Sequence, residues 1–197
     1  MSTKNVFRKG SAAIPASSGG KFLKVTTDKA PIIVPQVDID NLISVEQHEV
    51  WDIKPALLFP CLGATCPACK RDMRTKYKAF LPVLVKGEEG WESKIYAFGI
   101  SVVRQLETLA EELGNIKGKA IKVIRKGKGF NTTYQLLPLG KEVDIDAEED
   151  ALDPTEQVEV LDEETIAEKL TAIFGEYEPE KEEETAKATA SDDDWGE

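Results

Sequence analysis

Hydrophobic positions alternate with polar ones in several short runs and fall at helical spacing in two others. Residues 76–86, KYKAFLPVLVK, alternate around Tyr77, Phe80 and Val83 and predict a strand. Pro82 within it predicts an edge position or a bulge, because proline gives no N–H to a ladder. KGEEG reads as a turn, and residues 91–98, WESKIYAF, as the returning strand of a hairpin. Ser101 then caps a helix on which Val102, Val103, Leu106, Leu109, Ala110 and Leu113 form one stripe, with Gly114 as its stop. KAIKVIRK and NTTYQLLPL are two more strands around the glycine-rich tip GKGF. Upstream, KFLKV and PIIVPQV are short β-type runs broken by Pro31 and Pro35. Four or five short strands with one packed helix predict a mainly β, α+β chain built as a small β-barrel.

A second amphipathic stretch lies further on. In residues 162–174, DEETIAEKLTAIF, Ile166, Leu170, Ile173 and Phe174 share one side and Gly175 ends the run. This helix has either the body or a partner as its docking surface.

Charge divides the chain. Residues 1–141 hold 22 Lys and Arg against 13 Asp and Glu, and residues 142–197 hold 3 against 23, which together give the net −11. A basic body with an acidic tail implies a polyanion-binding surface and a tail that stays solvated or competes for it. The expected organisation is a flexible basic arm over 1–20, a core over 21–141, an acidic linker with the amphipathic helix over 142–175, and a disordered acidic tail over 176–197. No apolar run reaches the roughly 18 residues of a membrane helix. The first twenty residues lack the apolar stretch of a secretion signal. Three cysteines do not pair evenly, so the expected compartment is a reducing cytoplasm.

All three cysteines and the single histidine lie between residues 48 and 69. Their order is H-x12-C-x4-C-x2-C: His48, Cys61, Cys66 and Cys69. A C-x2-C pair turns two sulfurs toward one point, and thiolates with an imidazole suit a tetrahedral zinc ion. With four protein ligands the site is closed and therefore structural. Two other readings stand beside this one. CPAC resembles a redox pair, although no βαβ pattern surrounds it and it would leave His48 and Cys61 without a role. His48 alone has the alternative of an ordinary histidine.

Cations follow the cysteines, at Arg71, Arg74 and Lys76, with Tyr77 among them. More come later, at Lys122, Arg125, Lys126 and Lys128, close to Phe130 and Tyr134. Positive charge tracks phosphates, and exposed rings stack on unpaired bases. Tyr77, Trp91, Tyr96, Phe130 and Tyr134 are the candidate rings, each with the alternative of filling the core.

The stretch from His48 to Pro138 resembles the single-stranded DNA-binding proteins of tailed bacteriophages, the family typified by the T-even helix-destabilising protein. The twelve-residue gap between His48 and Cys61 with a closing C-x2-C, the run KYKAFLPVLVK, and IKVIRKGKGFNTTYQLLPL carry the resemblance. The order of basic arm, metal-bearing core and acidic tail agrees with it. The gap from Cys61 to Cys66 is shorter than in the T-even protein, and the core has fewer aromatic residues. The resemblance implies an OB-fold core with an inserted zinc subdomain, and cooperative, sequence-tolerant binding to single strands in phage replication, recombination and repair. Tyr77 would take the place of a base-stacking tyrosine. The arm, with Arg8 and Lys9, would join neighbouring copies on the strand. The tail would recruit replication or recombination partners, with Trp195 in DDDWGE as an apolar anchor, and would compete with DNA. The setting would be a bacterial host's cytoplasm.

Two rival functions are weaker on the same residues. A zinc-containing regulator of duplex DNA needs a basic recognition helix, but the helix near 101–113 exposes Glu107, Glu111 and Glu112 and, apart from these, only Arg104 as a cation. An enzyme needs a constellation of acids, bases or nucleophiles, and the basic body offers no such grouping and no P-loop.

Overall fold

The computed structural model describes residues 20–177 apart from 89, 148 and 149; the side chains of Phe130 and Ala147 also lie outside the description. The arm over 1–19, with Arg8 and Lys9, and residues 178–197, with Trp195, fall outside the described residues. The fold is mixed α+β: a mostly antiparallel, open sheet of seven strands with a few helices.

The strands are β1 (Ile32–Pro35), β2 (Ile43–Val50), β3 (Leu57–Pro60), β4 (Thr75–Lys86), β5 (Trp91–Phe98), β6 (Lys119–Lys126) and β7 (Thr133–Glu142). The helices are α1 (Pro67–Lys70), α2 (Ile100–Leu113), α3 (Pro154–Gln157) and α4 (Glu163–Phe174). The path runs β3-β2-β4-β1-β6-β7, and β5 adds to β4. The hairpin β4–β5 forms as the alternation predicts, from Ala79 opposite Phe98 to Lys86 opposite Trp91.

β4 organises everything else. One edge carries β5. The other edge carries two strands in succession: β2 pairs with it from Thr75 to Phe80, and β1 from Val83 to Val85. Pro82 sits between those two registers. Its missing N–H therefore falls where β4 changes partners, and its carbonyl still accepts from Gln36 N at 3.0 Å. The proline thus occupies a central strand rather than an edge, because the handover leaves a gap in the ladder that a residue without a donor fills at no cost.

β6 and β7 close around a turn in which glycine is obligatory. Gly127 has φ +78°, and an added Cβ would collide with the backbone oxygen of Asn131. α2 starts at Ile100 with Gly99 at the cap, two residues before the expected cap at Ser101 and with no side-chain cap bond, and ends on Gly114 in the left-handed region. Its buried stripe of Val102, Val103, Leu106 and Leu109 packs on Leu81, Val83, Ile121 and Leu136 to form the main core. Gln105 pins the helix to β7: its amide donates to Tyr134 O at 3.0 Å and accepts from Leu136 N at 3.1 Å. The run KFLKV contributes one parallel bridge, Phe22 to Ile95, along the free edge of β5.

The acidic segment after β7 is built into the fold. Val143 and Ile145 pack on Val34, Leu84 and Ala120. Leu152 and Val158 cover Phe80 and Ile95 on the same face of the sheet. α4 ends the path against β2 and β3. Ile166 and Leu170 are 0% exposed, and each such buried side chain contributes about 1.5–3 kcal/mol. Cutting the chain after Lys141 should therefore lower its melting temperature strongly, whereas cutting after Tyr177 should leave it unchanged. Equal melting of the two shortened chains in calorimetry would contradict this packing.

Candidate metal centre and nucleic-acid interface

His48 lies in β2, opposite Phe59 of β3 and Thr75 of β4. Sequence alternation did not reveal β2, because ISVEQHEV buries Gln47 and His48 completely and reads as polar. Cys61 follows β3, and its N–H donates to Glu46 O at 2.9 Å, fixing the chain as it leaves the sheet. A turn with Gly63 at φ +75° brings Cys66 to the cap of α1, where Pro67 starts a four-residue helix that contains Cys69. Four residues do not make a stable helix alone. Asp72, at φ 54°, reverses the chain into β4.

These elements bring all four predicted ligands together: the donor atoms of His48, Cys61, Cys66 and Cys69 lie within 4.8 Å of one another. Cys61 Sγ is 3.3 Å from Cys69 Sγ, and Cys69 Sγ is 3.4 Å from His48 Nε2. A tetrahedral ion with metal–sulfur bonds near 2.3 Å and metal–nitrogen bonds near 2.0–2.1 Å has edges of roughly 3.5–3.8 Å, so the cluster is close to the size such an ion requires. The cysteines form no disulfide.

The chemistry of the thiols points the same way. Burial opposes ionisation of Cys66, but hydrogen bonding from His48 and from backbone N–H groups of Leu62, Cys69 and Ala68 outweighs it and lowers its pKa to about 6. Burial and the neighbouring Cys61 and Cys66 push Cys69 up to about 12. Adjacent thiols compete for one negative charge, and a bound cation removes the conflict. His48 is buried against Phe59, with ring centroids 5.4 Å apart. Its Nδ1 has no hydrogen-bond partner among the described residues. Packing rather than an outer carboxylate therefore holds the ring with Nε2 toward the sulfurs. The four side chains can hold a metal ion.

No protein-family model, curated protein or solved structure matches this chain.

The predicted nucleic-acid contacts divide among three places. Near the metal cluster, Arg71 is committed to α4: it donates to Gly175 O at 2.8 Å and Thr171 Oγ1 at 3.3 Å, and stacks 5.4 Å from the Tyr177 ring centroid. Lys76 pairs with Glu49 at 2.6 Å, and Lys78 lies 3.5 Å from the same carboxylate, only 5% exposed. Burial works against that carboxylate's charge, but the hydrogen bond from Lys76 and the further contacts of Gln47, Lys78 and Trp51 hold its pKa below the usual value. Arg74 is exposed.

The interior face of the sheet takes three of the expected rings. Tyr96 is 2% exposed and packs on Phe98 at 4.7 Å between centroids. It is a core residue, not a ligand surface, because its place on β5 turns it toward α2, and its phenol pKa is raised by burial. Tyr77 and Tyr134 are half-buried against the same core. Arg125, directly opposite Tyr134, donates from Nη1 to Val25 O at 3.1 Å.

The opposite face, part of which Val143 and Ile145 cover, gathers a row that the sequence did not reveal, with Ile32 and Trp91 half-buried in it. Trp91 of β5 stands opposite Lys86 of β4, and Lys122 of β6 stands opposite both Ile32 of β1 and Leu137 of β7. The β1–β4 register, Ile33 opposite Val85, completes the line from Trp91 to Leu137. Five adjacent strands span about 19 Å. Lys86 Nζ sits 5.2 Å over the Trp91 ring. Lys126, four residues beyond Lys122 on the same face, is exposed and bonds Gln135 at 3.1 Å. Lys128 is exposed in the β6–β7 turn, which also contains Phe130. The period-two alternation of β6 puts Lys122 and Lys126 on this face and Arg125 on the other.

Proposed function

We propose that this protein binds single-stranded DNA without regard to sequence, on the sheet face that carries Trp91, Lys86, Ile32, Lys122 and Leu137 as one row. That row is the observation that carries the reading. It combines cations, which follow a phosphate backbone, with a flat ring on which an unpaired base stacks. The helices favour single strands over duplex, because a major-groove reader needs a basic helix, whereas α2 exposes Glu107, Glu111 and Glu112 and α4 begins with Glu163 and Glu164. The resemblance of residues 48–138 to phage single-stranded DNA-binding proteins points the same way and adds replication, recombination and repair as the setting.

In this reading β4 bends where its edge passes from β2 to β1, and the sheet is OB-fold-like. The ion among His48, Cys61, Cys66 and Cys69 is zinc, since three thiolates and an imidazole suit a borderline-soft ion without a geometric demand of its own. Four protein ligands leave it no open position, so it stabilises a loop-rich segment and takes no part in a reaction. The basic arm with Arg8 and Lys9 joins neighbouring copies, and the acidic tail with Trp195 binds replication partners and competes with DNA.

Fluorescence anisotropy with labelled oligo-dT and a matched duplex tests this. Oligo-dT is expected to bind far more tightly. If about five phosphates are neutralised, log K falls with log salt at a slope of roughly −3.5. A chain cut after Tyr177 is expected to bind oligo-dT more tightly still. Equal affinity for duplex would overturn single-strand binding, and unchanged affinity of the shortened chain would remove the competing role of the tail.

A further inference from the structure

Among the described residues, the buried contacts that seat α4 come mainly from segments next to His48, Cys61, Cys66 and Cys69. Ile166 and Leu170 are buried among Val50, Phe59, Cys66 and Ala68. Val50 lies two residues after His48, Phe59 two before Cys61, and Ala68 between Cys66 and Cys69. The two residues that follow Cys69 then grip opposite ends of the helix. Lys70 Nζ meets Glu163 Oε1 at 3.0 Å at its start. Arg71 reaches Thr171 Oγ1 and Gly175 O at its end, and lies over Tyr177.

Neither partner is stable by itself. α1 has four residues, and α4 has twelve, a length at which an isolated helix is marginal in water. α4 brings a local cap, Asp162 Oδ1 accepting from Thr165 N at 2.7 Å, and its remaining support is shared between the knuckle and the strand residues Val50 and Phe59.

We propose that the metal ion assembles the surface on which α4 docks, so that the occupancy of the centre controls whether the acidic C-terminal segment is clasped or free. This rests on the metal reading above. With the ion bound, residues 61–73 hold Ala68, Lys70 and Arg71 in position and α4 closes on them. Without it, the knuckle loosens, the two grips part, and the apolar face of Ile166, Leu170 and Ile173 is released. The coupling is reciprocal: whatever unseats α4 also weakens the hold on the metal.

Hydrogen exchange on the full chain, zinc-loaded and after chelation, tests the proposal. The zinc content of each sample is measured alongside. Amides of 163–174 are expected to exchange at least about tenfold faster after chelation, and those of α2, which packs in a different cluster, to stay unchanged. Re-addition of zinc restores the slow rate. As a second arm, Arg71→Ala, which leaves the ligands and the apolar contacts intact, is expected to weaken zinc about tenfold in a chelator competition. Unchanged exchange in 163–174, an equal rise in α2, or wild-type zinc affinity in R71A would overturn the clasp. A chain that takes up no zinc overturns both the clasp and the metal reading, whereas a zinc-loaded chain with an indifferent α4 overturns the clasp alone.

Discussion

Cys66→Ser is expected to abolish metal uptake and to lower the stability of the metal-treated protein by more than about 3 kcal/mol. Structural zinc in small folded units supplies about 10–16 kcal/mol of apparent binding free energy near neutral pH, and that energy is folding energy. Serine has almost the size of cysteine, so the change removes a ligand and little volume. Cys66 is also the residue from which the metal cluster and the apolar cluster under α4 both grow. Its loss therefore reaches Phe59, Ala68, Ile166 and Leu170 as well as the ion. Metal content and urea unfolding check the result together. A serine variant that unfolds like the parent would mean that no ion supports the fold. Acid acts in the same direction, because thiolates must take up protons before the metal leaves.

The double reversal Lys86→Glu with Lys122→Glu is expected to weaken oligo-dT binding by two orders of magnitude or more at low salt. Each lost phosphate contact reduces the salt slope by about 0.7, so the slope should become shallower by roughly 1.4. The two lysines stand in one row, separated by Ile32, and neither is in an ion pair among the described residues. Trp91→Ala would add a separate loss of about 1–3 kcal/mol if a base stacks on that ring. Zinc content and melting temperature serve as the controls. Unchanged affinity in the double variant would move the DNA from this face.

The three cations around the cysteines show why spacing was a poor guide to the binding surface. Arg71, Arg74 and Lys76 look alike in the sequence. In the fold Arg71 holds the end of α4, Lys76 balances a nearly buried Glu49, and Arg74 remains exposed. The partners of the first two are 104 and 27 residues away, so no local pattern could expose them. Lys86 carries no local signal, for the converse reason. It is one cation at the end of a strand until its registers place it between Trp91 and Ile32.

Tyr96 and Trp91 make the same point within one strand. Both are aromatic residues of β5, yet they point to opposite faces, and only one face is covered by α2. Alternation announced the two faces. Which face met the helix depended on where α2 crossed the sheet.

Composition and spacing were enough for the grouping of His48, Cys61, Cys66 and Cys69, the β4–β5 hairpin, α2, β6, β7 and the helix near 162–174. Each is set by a short-range rule: the span of a C-x2-C knuckle, the period of a strand, the stripe of a helix. They were not enough for β2 and β3, the central place of Pro82, the seating of α4 on the metal knuckle, or the row across five strands. Those features arise from contacts between segments far apart in sequence, where a buried polar residue is stabilised by a partner that its neighbours do not announce.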